Sequence, residues 1–248
     1  MADVIPAGAQ LLVLPIDDCK LNAGYKSGKY REVYKINHYG WDLGSVSGNR
    51  PLQGMGRGVV VAAGMDGANT KDRLGNCLVL VYPKVLCRDG KVRDLSCRMF
   101  HLANIAVKAG QEITSETILG QYGATGNPAY CSGPHLHIEF DTDTQYPAYA
   151  YGVAGGKIIK RGTVDSSLSP SQVFCLGAGQ KLDLNQNWVS QGWMTAAEAK
   201  LPQAADFTVQ EAVVSMEKYQ AAIARAEAAE AECAGLKAKI IAARAALG

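Results

Sequence analysis

The sequence predicts a mainly β domain followed by a helical C-terminal region. Three observations carry this. Short β-branched runs, 58–63 (GVVVAA), 77–82 (CLVLVY) and 135–140 (HLHIEF), alternate with clusters of Gly, Asn and Asp, the pattern of a many-stranded domain. Of 27 glycines only Gly192, Gly235 and Gly248 lie beyond residue 180, and Pro202 is the one proline there. From residue 208 on Ala, Glu, Lys and Arg dominate, and apolar residues recur at helical intervals.

The β domain is expected over residues 1–178. At its start the N-terminus (MADVIP) has no positive leader, and the apolar run 11–16 ends in Asp17 and Asp18. Neither feature fits a secretory signal peptide, so synthesis in the cytoplasm is expected. No stretch of 18 apolar residues occurs, so neither a transmembrane helix nor membrane insertion is expected. In the middle, Asp89-Gly90 reads as a two-residue hairpin turn. Closure by Arg88 and Lys91 would set Cys87 opposite Val92 and Cys97 opposite Tyr82, leaving both thiols free. Seven cysteines, an odd number, also argue for reduced thiols.

Residues 179–207 are expected to form a linker with a short helix, because Thr195 and Glu198 fit a capping box. Thr208 and Glu211 fit a second one, opening a long Ala-rich helix over 208–248. Its apolar residues, Val209, Val213, Met216, Tyr219, Ile223 and onward to Leu247, average about 3.5 residues apart, the coiled-coil period. Such a stripe is too thin to hold a lone helix, so an oligomerisation or docking role follows, with the chain itself or an assembly protein as partner. Trp188 and Trp193 are expected to help dock this region. The formal net charge of +2 lacks the basic excess of a nucleic-acid binder, so no nucleic-acid partner is expected.

The four histidines carry the chemistry. His38 and Asp42 form H-x-x-x-D, and His135 and His137 form H-x-H. Both spacings are even, so in a strand each pair would project to one face and converge on one point. Imidazole and carboxylate suit Zn²⁺, and three protein ligands with an open position mark a catalytic site. Four histidines and one aspartate exceed that need, leaving one or two imidazoles for proton transfer. Glu139 shares the parity of His137, as an orienting partner or as a solvated strand end. Cys131, four residues before His135, reads as a small loop residue in preference to a nucleophile. Trp41 is expected to pack beneath the site, and residues 146–151 to fold aromatic faces onto the domain.

From His38 to Phe140 the chain resembles the lysostaphin-type (LytM-like) zinc metallopeptidases. His38-Tyr-Gly-Trp-Asp42 matches their first metal motif and 132–140 (SGPHLHIEF) their closing signature; 48–64, 75–80, 100–110 and 118–126 follow in order between them. The resemblance implies an antiparallel barrel-sandwich hybrid (duplicated hybrid motif) fold and one Zn²⁺ per chain. It implies His38, Asp42 and His137 as zinc ligands and His101 and His135 as catalytic histidines. The implied activity is endopeptidase cleavage of bacterial peptidoglycan. Three departures stand out: Met99 where the family often has Tyr, the insertion 127–131, and a long segment 82–96. The missing leader and the helical extension point to a phage product, a virion tail-associated lysin or an endolysin released at lysis, acting on the cell wall. The competing reading is a catalytically silent domain that binds cell wall or assembles through its C-terminal helix.

Overall fold

The computed structural model describes residues 3–65, 74–129, 131–145, 151–154, 157–160 and 165–209. The chain divides into two units, Met1–Val209 and Gln210–Gly248. The helix and coiled-coil spacing expected over 208–248 lie outside the described residues from 210 onward, as do residues 146–150. Among the described residues, no helix is long and apolar enough to cross a membrane.

The first unit is mainly β. An 11-stranded sheet runs in the order Lys181–Leu184, Asp18–Ala23, Gly40–Ser45, Leu136–Asp141, Val92–Ile105, Asn76–Leu86, Gly58–Met65, Glu112–Ile113, with three short strands branching from it. From Asp18–Ala23 to Glu112–Ile113 every neighbour is antiparallel; the Lys181–Leu184 edge is parallel. The two faces of the central strands divide sharply because side chains alternate. Leu136, Ile138 and Phe140 join Trp41, Leu43, Cys97 and Met99 in the main core, all fully buried. Each such side chain contributes on the order of 1.5–3 kcal/mol. On the other face, His137, Glu139 and Asp141 stand in register with Asp42, Gly40, Phe100, Arg98 and Ser96. Phe100 packs there with Ala62, Cys77 and Val79 in a smaller apolar cluster.

Several expectations change. The hairpin loop holds three residues, not two: Leu86 pairs with Val92, the Cys87 amide donates to Lys91, and Gly90 takes φ +77°. This is a type I turn closed by a glycine bulge. Asp89 fixes it, accepting from the Lys91 amide and from Arg93 at 2.6 and 2.7 Å. With a second irregularity between Tyr82 and Val85, Cys97 lies opposite Leu80. Cys87 and Cys97 are nonetheless both reduced.

The 179–207 segment holds a five-residue helix, Gln186–Ser190, but it also supplies the parallel edge strand and buries Met194 and Leu201 in the main core. Thr195 and Glu198 cap a turn, not a helix. The Glu198 carboxylate accepts from the Thr195 and Tyr25 amides and from Trp41 Nε1, so its oxygens are committed to tertiary bonds. Thr208 lies in the strand Phe207–Val209, which pairs with Asp3–Ile5. A helix at Gly28–Tyr34 escaped the sequence reading. Its signal is Ser27, whose hydroxyl accepts from the Tyr30 amide. Trp193 packs against Tyr30, Tyr34 and Trp188 beside this helix.

Candidate metal centre

Asp42 sits in the strand Gly40–Ser45, directly opposite His137 in the strand Leu136–Asp141. Facing partners on adjacent antiparallel strands lie about 4.5–5.5 Å apart at Cβ, which brings both side chains to one point. His38 arrives differently from the strand-parity expectation, since the strand begins only at Gly40. It lies in the preceding loop, pinned by the Lys26 amide donating to its carbonyl and by its own Nδ1–H donating to Gly24 O at 2.8 Å. The Tyr30 ring stacks on its imidazole at 4.3 Å and 20°. The result is a triangle: His38 Nε2 to Asp42 Oδ1 3.1 Å, His38 Nε2 to His137 Nδ1 3.0 Å, and His137 Nδ1 to Asp42 Oδ1 2.9 Å.

The hydrogen-bond partners decide which atoms carry protons. Gly24 O can only accept, so His38 holds its proton on Nδ1 and turns a lone pair at Nε2 inward. His137 donates Nε2–H to Glu139 Oε1 at 2.9 Å, which turns the Nδ1 lone pair inward. Two imidazole lone pairs and a carboxylate oxygen therefore meet within about one ligand spacing, roughly 3.3 Å around a tetrahedral ion with bonds near 2.0 Å. A divalent cation suits that donor set. Without one, burial lowers the proton affinity of His137, but hydrogen bonds to Asp42 and Glu139 outweigh it and push its pKa up to about 10. Burial opposes the ionised form of Asp42 as well, yet the facing His38, His135 and His137 hold it well below the usual carboxylate range.

His101 and His135 lie beside this triangle with ring centroids 4.7 Å apart. His101 occupies φ +64°, a left-handed conformation uncommon for a residue other than glycine, inside the long strand Val92–Ile105. Its Nδ1–H donates to Thr125 O at 3.0 Å and that of His135 to Gly133 O at 2.9 Å. Both rings thus keep Nε2 unprotonated, and His135 Nε2 is 3.6 Å from Asp42 Oδ1. Burial, then the neighbouring His135 and His137, lower the His101 pKa to about 4. All five polar residues singled out in the sequence gather here. Met99 lies on the core face beside Ile138.

Parity placed Glu139 with His137, and the structure makes it a hydrogen-bond partner. No local pattern signals what stands behind it. Arg98 is fully buried, 3.5 Å from both Glu139 and Asp141, with its Nη1 donating to Ser96 at 2.6 Å. Burial raises Glu139, but the His137 hydrogen bond and the Arg98 charge prevail and hold its carboxyl low. A close approach makes room for this chain: a Cβ on Gly40 would fall 2.2 Å from Ile138 O and 3.0 Å from Glu139 Cγ. Cys131 is buried, with Sγ 3.6 Å from His135 Nδ1.

The model of peptidase family M23 matches residues 36–148, from just before His38 to just past the Leu136–Asp141 strand. Residues 36–148, a little under half of the chain, are thus similar to this family. Similar solved structures include a zinc-containing peptidase from Vibrio cholerae, at 21% identity over 63% of this chain and 41% of that one, TM-score 0.40. Lysostaphin from Staphylococcus simulans gives 24% identity over 62% of this chain and 48% of its own, TM-score 0.39. The catalytic domain of a mutant of the prophage-encoded M23 protein EnpA from Enterococcus faecalis gives 21%, 57%, 88% and 0.38 in the same order. The chain thus spans less than half the length of the Vibrio peptidase and of lysostaphin. No curated protein matches it in sequence. Every candidate ligand and both flanking histidines of the M23 region lie inside the matched residues.

Proposed function

We propose that this protein is a zinc-dependent endopeptidase that hydrolyses peptide bonds in the stems or cross-bridges of bacterial peptidoglycan. The observation that supports this best is the convergence of His38 Nε2, Asp42 Oδ1 and His137 Nδ1 to within 2.9–3.1 Å of one another, with His38 Nδ1–H and His137 Nε2–H bound outward to Gly24 O and Glu139. These three residues would hold one Zn²⁺ per chain, which when bound supplies Lewis acidity for acidifying a water and polarising a scissile carbonyl.

The remaining steps belong to the chain. His135 and His101 each present Nε2 to the site while a backbone carbonyl holds Nδ1–H, so each ring is oriented and in the basic tautomer. A proton leaving the attacking water passes to one of these nitrogens, and the imidazolium formed returns it to the departing amine as the C–N bond breaks. The neighbouring imidazole donates to or accepts from the tetrahedral oxyanion as its protonation allows. Asp42, within 3.6 Å of His135 Nε2, stabilises the imidazolium while it lasts. The low proton affinity of His101 suits a group that must be neutral at pH 7 before it accepts a proton.

As the setting we propose a phage lysin, carried in a virion tail or released at lysis, with residues 208–248 as its assembly element. Mass spectrometry of purified virions and of lysates tests that setting, and absence from both overturns it. The activity is tested by digesting purified peptidoglycan with and without chelator and reading the products by mass spectrometry. Internal peptide cuts that vanish with chelator and return with zinc are expected. Intact wall in the presence of zinc-loaded protein, across walls of both diaminopimelate and Gly-bridged type, would favour the silent wall-binding reading.

A further inference from the structure

Beside the triangle Cys131, which this reading does not use, joins His135 and His101 in a second set of donors. Cys131 Sγ–H and His135 Nδ1–H both donate to one carbonyl, Gly133 O, at 3.3 and 2.9 Å, and the two donor atoms are 3.6 Å apart. His101 stands next to them, with its candidate ligand atom and those of Cys131 and His135 all within 4.8 Å of one another. A tetrahedral ion with M–S near 2.3 Å and M–N near 2.0 Å would separate its S and N ligands by about 3.5 Å. The Cys131–His135 edge already has that length. Thiolate with two imidazoles selects soft or borderline ions such as Zn²⁺ and Cd²⁺ over Mg²⁺ or Ca²⁺.

We propose that Cys131, His135 and His101 form a second, thiolate-containing site for a soft divalent cation, distinct from His38–Asp42–His137. Binding breaks the Sγ–H bond and forms an Sγ–metal bond, the proton leaving to solvent. The His135 proton moves from Nδ1 to Nε2, where Asp42 Oδ1 lies 3.6 Å away as an acceptor, and Nδ1 gives its lone pair to the metal. His101 binds through Nε2, since Thr125 O keeps its Nδ1–H. Gly133 O, released by both donors, is placed as a fourth ligand. The existence of the site does not depend on peptidase activity. One consequence rests on that reading: with Nε2 protonated and His101 ligated, neither imidazole can accept the water's proton, so the second ion inhibits.

Cadmium titration of the full-length, metal-free, reduced protein tests this, followed by the ultraviolet thiolate-to-cadmium charge-transfer band and by calorimetry. Two equivalents should bind, and only the one held by Cys131 should produce the band, because the triangle has no sulfur. Cys131→Ser should lose that equivalent and the band while keeping the other. His137→Ala should do the reverse, keeping the band. A single equivalent, or a band that persists in Cys131→Ser, overturns the proposal. Failure of wall digestion leaves this titration unaffected, so the two readings fall separately.

Discussion

At the scale of residues, the site separates groups that would hold a metal from groups that would move protons, and substitutions should separate them too. His137→Ala removes one corner of the triangle and should abolish zinc binding there and hydrolysis together, read by the loss of one metal equivalent and by wall digestion. His135→Ala leaves the triangle intact and should keep zinc while losing about 10²–10⁴-fold in turnover, the usual range for a general acid or base. A fully active His135→Ala protein would refute its role. Glu139 acts one step further out. It fixes His137 through Nε2–H, and Arg98 behind it keeps the carboxylate charged. Glu139→Gln should weaken zinc binding by roughly 10–100-fold, measured against a chromophoric chelator, with the three ligands untouched. Unchanged affinity would reduce Glu139 to a buried counter-ion for Arg98.

At the scale of elements, what the sequence made legible was whatever rests on alternation. The shared face of Glu139 and His137 follows from strand geometry and holds in the register, each standing opposite a residue of Gly40–Ser45. What it hid depends on tertiary partners. His38 reaches the site from a loop through Gly24 and Lys26, Glu198 spends its carboxylate on Tyr25 and Trp41, and Arg98 is a charged residue in a fully buried strand position. No local pattern encodes these. Gly40 shows how an element supports the site. Gly40→Ala would drive a Cβ into Ile138 O, forcing apart the strands that carry Asp42 and His137. Both stability and zinc affinity should fall, the first read by urea unfolding; a loss of stability alone would mean the strands re-close around the triangle. The neighbouring strand Asp18–Ala23 gives a pH test. Asp18 accepts from Ser45 Oγ at 2.7 Å and the Ser47 amide at 2.8 Å, and the Ser47 side chain leads in holding its carboxyl below the usual value, with Ser45 and the Ser47 amide adding to it against burial. A depressed folded pKa adds stability above the unfolded value, near 3.9, that disappears as pH falls through the folded one. Asp18→Asn should therefore be less stable than the parent at pH 6, the gap closing below about pH 4. A gap independent of pH would assign the effect to the lost hydrogen bonds and not to charge.

At the scale of the whole molecule, the candidate ligands tie together distant parts of the chain, since His38 and His137 are 99 positions apart. The strand that follows His38 and the strand that carries His137 pair near the centre of the sheet, so an ion there would link the two halves of the matched region. In the metal-free state His137 is held protonated between two carboxylates. A folded protein with such a preformed cluster binds zinc far better than its unfolded chain, which scatters the same donors. Zinc should then stabilise the fold by RT ln(1 + [Zn]/Kd), about 4 kcal/mol at a thousandfold excess over Kd. At one equivalent of zinc per chain the melting temperature should rise in the parent and in His135→Ala, and stay flat in His38→Ala and His137→Ala. Deletion of residues 210–248, which form a unit of their own, should leave this zinc-dependent rise intact while lowering the oligomeric state measured by light scattering. This comparison does not require substrate. A rise that survives His38→Ala would place the stabilising ion elsewhere, and no rise in the parent would deny the triangle its metal and the endopeptidase reading with it.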